Sequence, residues 1–115
     1  MRRIYLASPY TSEHRPKMTW RYLAACAATA RLLAEGHIVY SPIAHGHHLS
    51  DFAALPGDFA FWREHCLSFL EHWAEELRVL EIDGWEESAG VQAEIAFAKE
   101  RGIPVVMQPL KGEWS

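Results

Sequence analysis

Leu77-Arg78-Val79-Leu80-Glu81-Ile82-Asp83-Gly84-Trp85-Glu86-Glu87-Ser88-Ala89-Gly90-Val91-Gln92-Ala93-Glu94 is the stretch whose reading decides the fold. Its first six residues, Leu77 to Ile82, form a short apolar run suited to a buried strand. A polar turn follows, and Ser88 stands where a helix N-cap belongs, ahead of an Ala-rich helix that Gly102 stops. Glu94 lies about two turns into that helix, ~9 Å along its axis. Its helical neighbours are Val91, Phe97 and Ala98, so the carboxylate sits on or beside an apolar face with no basic residue to pair with. A carboxylate buried there without a partner costs several kcal/mol, a term proteins rarely carry without a use. The bland alternative is a glutamate at the edge of the stripe that reaches water. Gly90, one turn back on the same face, is expected to leave clearance above the carboxylate.

Outward from this junction the chain alternates strands and helices. Arg3 to Ala7 reads as a strand ended by Ser8-Pro9, since proline cannot donate to a ladder. A loop from Tyr10 to Lys17 leads into a small-sided helix, on which Leu23, Cys26, Ala27, Ala30, Leu33 and Ala34 share one stripe before Gly36 ends it. His37 to Ser41 is a second strand, followed by a loop holding His45, His47 and His48 and an irregular excursion from Leu49 to Asp58. Phe59 to Glu76 reads as a helix, and Ile103 to Met107 as the last strand, with Pro104 marking its first turn or an edge position. Alternation of this kind means a parallel sheet with right-handed crossovers. The expected architecture is α/β, a flavodoxin-like three-layer fold with a four- to five-stranded parallel sheet, formed by residues 1–115 as one domain. Ligands of such sheets bind outside the carboxyl ends of the strands. Ser8 to Tyr10, Pro42 to His48 and Asp83 to Ser88 should therefore converge on one edge.

Composition narrows the classes. In 115 residues, 50% are hydrophobic, enough for one real core, and the net charge of −4 argues against nucleic-acid binding by bulk electrostatics. The apolar runs are too short for a signal peptide or a membrane span, so a cytoplasmic protein is expected. Cys26 and Cys66 read as small packers in a reducing compartment. Three neighbouring histidines raise a metal reading, but no second spaced ligand motif supports it, and neither a metal nor another cofactor is expected. His45 is read instead as a structural or ligand-contacting residue. Tyr10, Tyr40 and Trp62 are core or edge aromatics, one of which could stack on a planar ligand.

The pattern Ser88-x-Gly90-x-x-x-Glu94 after a strand and polar loop resembles the motif of the nucleoside 2-deoxyribosyltransferase superfamily, which includes the 2′-deoxynucleoside 5′-phosphate N-hydrolases. Tyr5-Leu6-Ala7-Ser8-Pro9-Tyr10 and Ser41-Pro42-Ile43-x-His45 are similar to segments of small members of the same group, and the resemblance extends from Ile4 to Met107. It implies attack by Glu94 on the anomeric carbon, expulsion of the base, and resolution of a glycosyl-glutamate by water or a second base. The substrate would be a small-molecule nucleotide or nucleoside. Transferases acting on free nucleosides look to carry aspartate where this chain has Ser88, and the monophosphate hydrolases carry serine. A serine at a helix N-terminus would donate to a phosphate that an aspartate would repel. Ser8, Pro9 and Tyr10, with Arg15 or Arg21, would supply the rest of that cradle. Ser88 has the simpler alternative of being a helix cap alone, and Arg15 and Arg21 of being solvated surface charges.

Two departures stand out. The hydrolases carry an aspartate near the start of the helix before the third strand, where this chain reads Arg63-Glu64-His65-Cys66-Leu67. Either His65, Glu64 or Asp58 takes its place, or the acid–base function is lost. Asp83-Gly84-Trp85 replaces a more apolar lead-in, and Asp83 becomes a candidate contact to a sugar hydroxyl or base. Two other functions fit the sequence: a catalytically silent nucleotide-binding module, and a flavodoxin-like protein-interaction scaffold. A sheet this small leaves faces to cover. A homodimer or homotetramer is therefore expected, with Trp73, Trp114 or the Phe59 to Trp62 region at its interface.

Overall fold

In the computed structural model, residues 1–56 and 58–110 are described. Trp114 lies outside them. The chain runs β1 (Arg3–Ala7), α1 (Arg15–Ala34), β2 (Ile38–Tyr40), α2 (Pro42–Ala53), α3 (Phe59–His72), β3 (Glu76–Leu80), α4 (Ala89–Glu100) and β4 (Val105–Gln108). All pairings are parallel, and the strand order is β2-β1-β3-β4. The order therefore reverses between β1 and β3, where α/β sheets place their ligand crevices.

Strand alternation distributes β1 between two cores. Ile4 and Leu6 face α1, joining Ala24, Ala28, Leu32, Leu80 and Ile82. Tyr5 and Ala7 face the opposite side, where Leu77 and Val79 meet Cys66 and Leu70 of α3 and Val91 and Ala98 of α4. Helices thus cover both faces of a four-stranded sheet, as the alternating pattern requires. Pro104 immediately precedes the edge strand β4, and its carbonyl accepts from Leu77 N–H at 2.9 Å. Gly36 adopts φ +95° just beyond α1, as a helix stop should.

The α1 stripe is a correction. Ala24, Ala25, Ala28 and Leu32 face the sheet, whereas Leu23 and Leu33 are 41% and 51% exposed. With alanines on every side, small residues alone do not mark the buried face.

The segment after β2 is a second correction: Pro42–Ala53 is a helix rather than a loop and irregular excursion. Ser41 caps it, its Oγ accepting from Ala44 N–H at 3.1 Å, and Pro42 opens it with a preset φ. Gly46 is buried against Trp62 of α3; a β-carbon there would make ordinary contact with the indole at 3.6 Å. Ala54 ends the helix in the left-handed region, at φ 55°.

Candidate active site

Three strand ends and the N-terminal halves of α3 and α4, with one face of α2, line a cavity of about 730 Å³. Ser8 and Tyr10 come from the end of β1, Ile43, Gly46, His47 and Ser50 from α2, and Asp58, Phe59, Trp62, Arg63 and Cys66 from α3 and its cap. The turn after β3 and α4 add Gly84, Ser88, Gly90 and Glu94. The convergence expected from the sequence is the geometry observed.

Glu94 is 5% exposed and sits against the cavity. The Tyr5 hydroxyl donates to its Oε2. Burial pushes the Glu94 carboxyl up to about 8, with the Tyr5 hydrogen bond opposing it. Tyr5 in turn is held well above the usual phenol range by burial and by the facing carboxylate. Cys66, on the same wall, is pushed up to about 11 by burial.

No spacing in the sequence pairs Tyr5 with Glu94. The signal available was a tyrosine inside a buried strand, whose hydroxyl must find a partner somewhere.

Ser88 caps α4, its Oγ accepting from Val91 N–H at 3.2 Å, which leaves the hydroxyl proton free to donate. Ser8 is the opposite case: buried at 6% exposure, its Oγ has no hydrogen-bond partner among the described residues. Arg21 also lines the cavity and is buried.

Gly90 does not provide the expected clearance. A β-carbon there would come within 3.2 Å of the Phe59 ring, so the glycine lets the start of α3 pack against α4. Arg15 lies on the surface, 80% exposed at its side chain, 3.7 Å from Asp51, and does not line the cavity. Pro9 is fully buried behind the β1 loop, and Asp83 is exposed; neither contributes to the lining.

His45 is exposed and stacks on His65, with centroids 5.5 Å apart, outside the cavity. His47 is the histidine that reaches it. The Tyr10 hydroxyl lies 2.7 Å from His47 Nδ1, and Tyr22 stacks on the ring at 4.0 Å. Desolvation lowers the His47 pKa.

Of the three alternatives for the absent aspartate, Asp58 alone lines the cavity. It caps α3 through Oδ1, which accepts from Phe61 N–H at 3.4 Å. His65 instead meets the Tyr40 hydroxyl at 2.9 Å. Among the described residues no group of three or more His, Cys, Asp or Glu side chains gathers as a metal site. Nor is any helix among them long and apolar enough to cross a membrane.

A solved structure of a 2-deoxyribosyltransferase from the psychrotolerant bacterium Bacillus psychrosaccharolyticus superposes with a TM-score of 0.56 and 24% identity, over 96% of this chain and 74% of that one. At that identity the likeness is one of fold. No curated protein sequence matches the chain. Residues 2–109 match the model of a family described as a domain of unknown function, DUF1937, and the chain belongs to that family.

Proposed function

We propose that the protein cleaves or transfers at the N-glycosidic bond of a deoxynucleoside or its 5′-phosphate, with Glu94 as the nucleophile. The observation that carries this reading is the buried Glu94 carboxylate beside a cavity of about 730 Å³, with Oε2 taken by the Tyr5 hydroxyl. That hydrogen bond leaves Oε1 to form the bond to the anomeric carbon as the bond from that carbon to the base nitrogen breaks. The developing oxocarbenium charge lies next to the carboxylate, the arrangement glycosyl transfer requires. Asp58 is the group proposed to hand a proton to the departing base. Water or a second base then attacks the anomeric carbon, its proton passing to Asp58 as the bond to Glu94 breaks, which restores both groups.

The cavity also holds donors suited to an anion. Ser88 with the N-terminus of α4 and the unpartnered Ser8 hydroxyl both line it. A 5′-phosphate suits those donors. Ser8→Ala is expected to leave thermal stability unchanged or raised, because the lost hydroxyl has no partner to strand. The same variant should bind a deoxynucleoside monophosphate more weakly, as read by ligand-dependent thermal shift. A substantial drop in stability with unchanged nucleotide affinity would assign Ser8 to the scaffold instead.

The test of the reaction is chromatography of free base released from a panel of deoxynucleosides and their monophosphates. Release by the wild type and its loss in Glu94→Ala are expected. Equal, slow release by both proteins would remove Glu94 from the mechanism.

A further inference from the structure

Among the described residues, Arg21 is a buried cation held by main-chain carbonyls. It projects from the second turn of α1 into the carboxyl edge of the sheet, 8% exposed. Its partners among the described residues are three main-chain carbonyls rather than a carboxylate. Nη1 donates to Tyr10 O at 3.3 Å and to Thr11 O at 3.1 Å, and Nη2 donates to Asp83 O at 3.3 Å. One guanidinium therefore ties the loop after β1, which carries Ser8 and Tyr10, to the turn after β3, which leads to Ser88 and Glu94.

The turn is shaped to admit it. Gly84 has φ +95°, and a β-carbon at that position would collide with Nη2 of Arg21. Glycine there meets two requirements at once: a left-handed backbone and room for the guanidinium. A planar fork can span two chain segments; a lysine ammonium is a point charge that cannot reproduce both directions.

We propose that Arg21 and Gly84 form a lock that sets the spacing between the two halves of the cavity, making Arg21 a positioning residue for the reaction at Glu94. The activity part of this inference rests on the proposed function; the lock itself does not. Displacing either loop by about 1 Å moves the substrate against the Glu94 carboxylate, which costs on the order of 100-fold in rate.

Two experiments judge it. The first is a double-mutant cycle by thermal unfolding on Arg21→Ala, Gly84→Ala and the pair. In the wild-type background Gly84→Ala adds both backbone strain and a collision, and in Arg21→Ala only the strain, so the two losses should be far from additive. Amide exchange in Arg21→Ala should accelerate together in residues 10–12 and 83–87. Additive losses, or faster exchange confined to α1, would overturn the lock whatever the protein's activity.

The second is base release. Arg21→Lys is expected to fall about 100-fold in kcat/KM, and Arg21→Ala to be partly restored by added guanidinium but not by methylammonium. Wild-type rates in Arg21→Lys would overturn the positioning role. Absence of turnover in the wild type would instead strike the proposed function, leaving the cycle and the exchange data to decide the lock.

Discussion

Glu94→Gln is expected to lose base release by at least about a thousandfold. The amide matches the carboxylate in shape and retains an oxygen to accept from Tyr5, so the cavity should keep its form. What it lacks is the charge that stabilises an oxocarbenium-like transition state and the oxygen nucleophile that traps it. Steady-state chromatography, with nucleotide-dependent thermal shift run alongside, separates the two effects. Retained binding with lost turnover fits the proposal, and retained turnover contradicts it.

The second large effect is on stability. Burial raises the Glu94 pKa to about 8 in the folded protein, against ~4.3 for a glutamate in an unfolded chain. Between those values the folded state holds a proton that the unfolded state has released. The stabilisation is therefore complete below the unfolded pKa and is lost progressively as pH rises to about 8, with a slope of up to roughly 1.4 kcal/mol per pH unit. Glu94→Gln has no such proton to lose. Its unfolding free energy should match the wild type near pH 4 and exceed it increasingly up to pH 8, as read by urea denaturation across that range. A gap independent of pH would show that Glu94 does not titrate in this way. In turnover the sign reverses: attack needs the carboxylate, so kcat/KM should rise with pH toward a limb near 8. The group proposed to make the site reactive is then the one that destabilises the fold near neutral pH.

Much of this arrangement was legible because local signals agreed with the global fold. The strand at Leu77, the cap at Ser88, the stop at Gly36 and the proline ahead of β4 each carry a backbone constraint that tertiary packing did not override. The segment from Pro42 was harder. Its proline and serine mark a helix start as well as a strand end, and its glycine and histidines suggest a loop. Once that segment is a helix, its site residues follow: Ile43, Gly46, His47 and Ser50 fall at helical spacing along the cavity wall. His45 and His47, two residues apart, project about 200° from one another, which explains why only His47 reaches the cavity.

Other features depend on which pieces meet, and no local pattern encodes that. Gly90 looks like clearance until Phe59 arrives from α3 to fill the space. Arg21 reads as a surface charge until two loops place their carbonyls around it. Tyr5 becomes Glu94's partner only because β1 turns its odd-numbered side chains toward α4.

The proposed covalent bond between Glu94 and the sugar is open to direct observation. A 2′-fluorinated deoxynucleoside monophosphate should slow both steps by destabilising the oxocarbenium-like transition state, allowing the intermediate to be sought by mass spectrometry of the quenched protein. A mass increase of one fluorinated deoxyribosyl phosphate is expected, located on Glu94 by peptide fragmentation and absent from Glu94→Gln. An adduct on another residue, or base release by a Glu94→Gln protein at the wild-type rate, would contradict it.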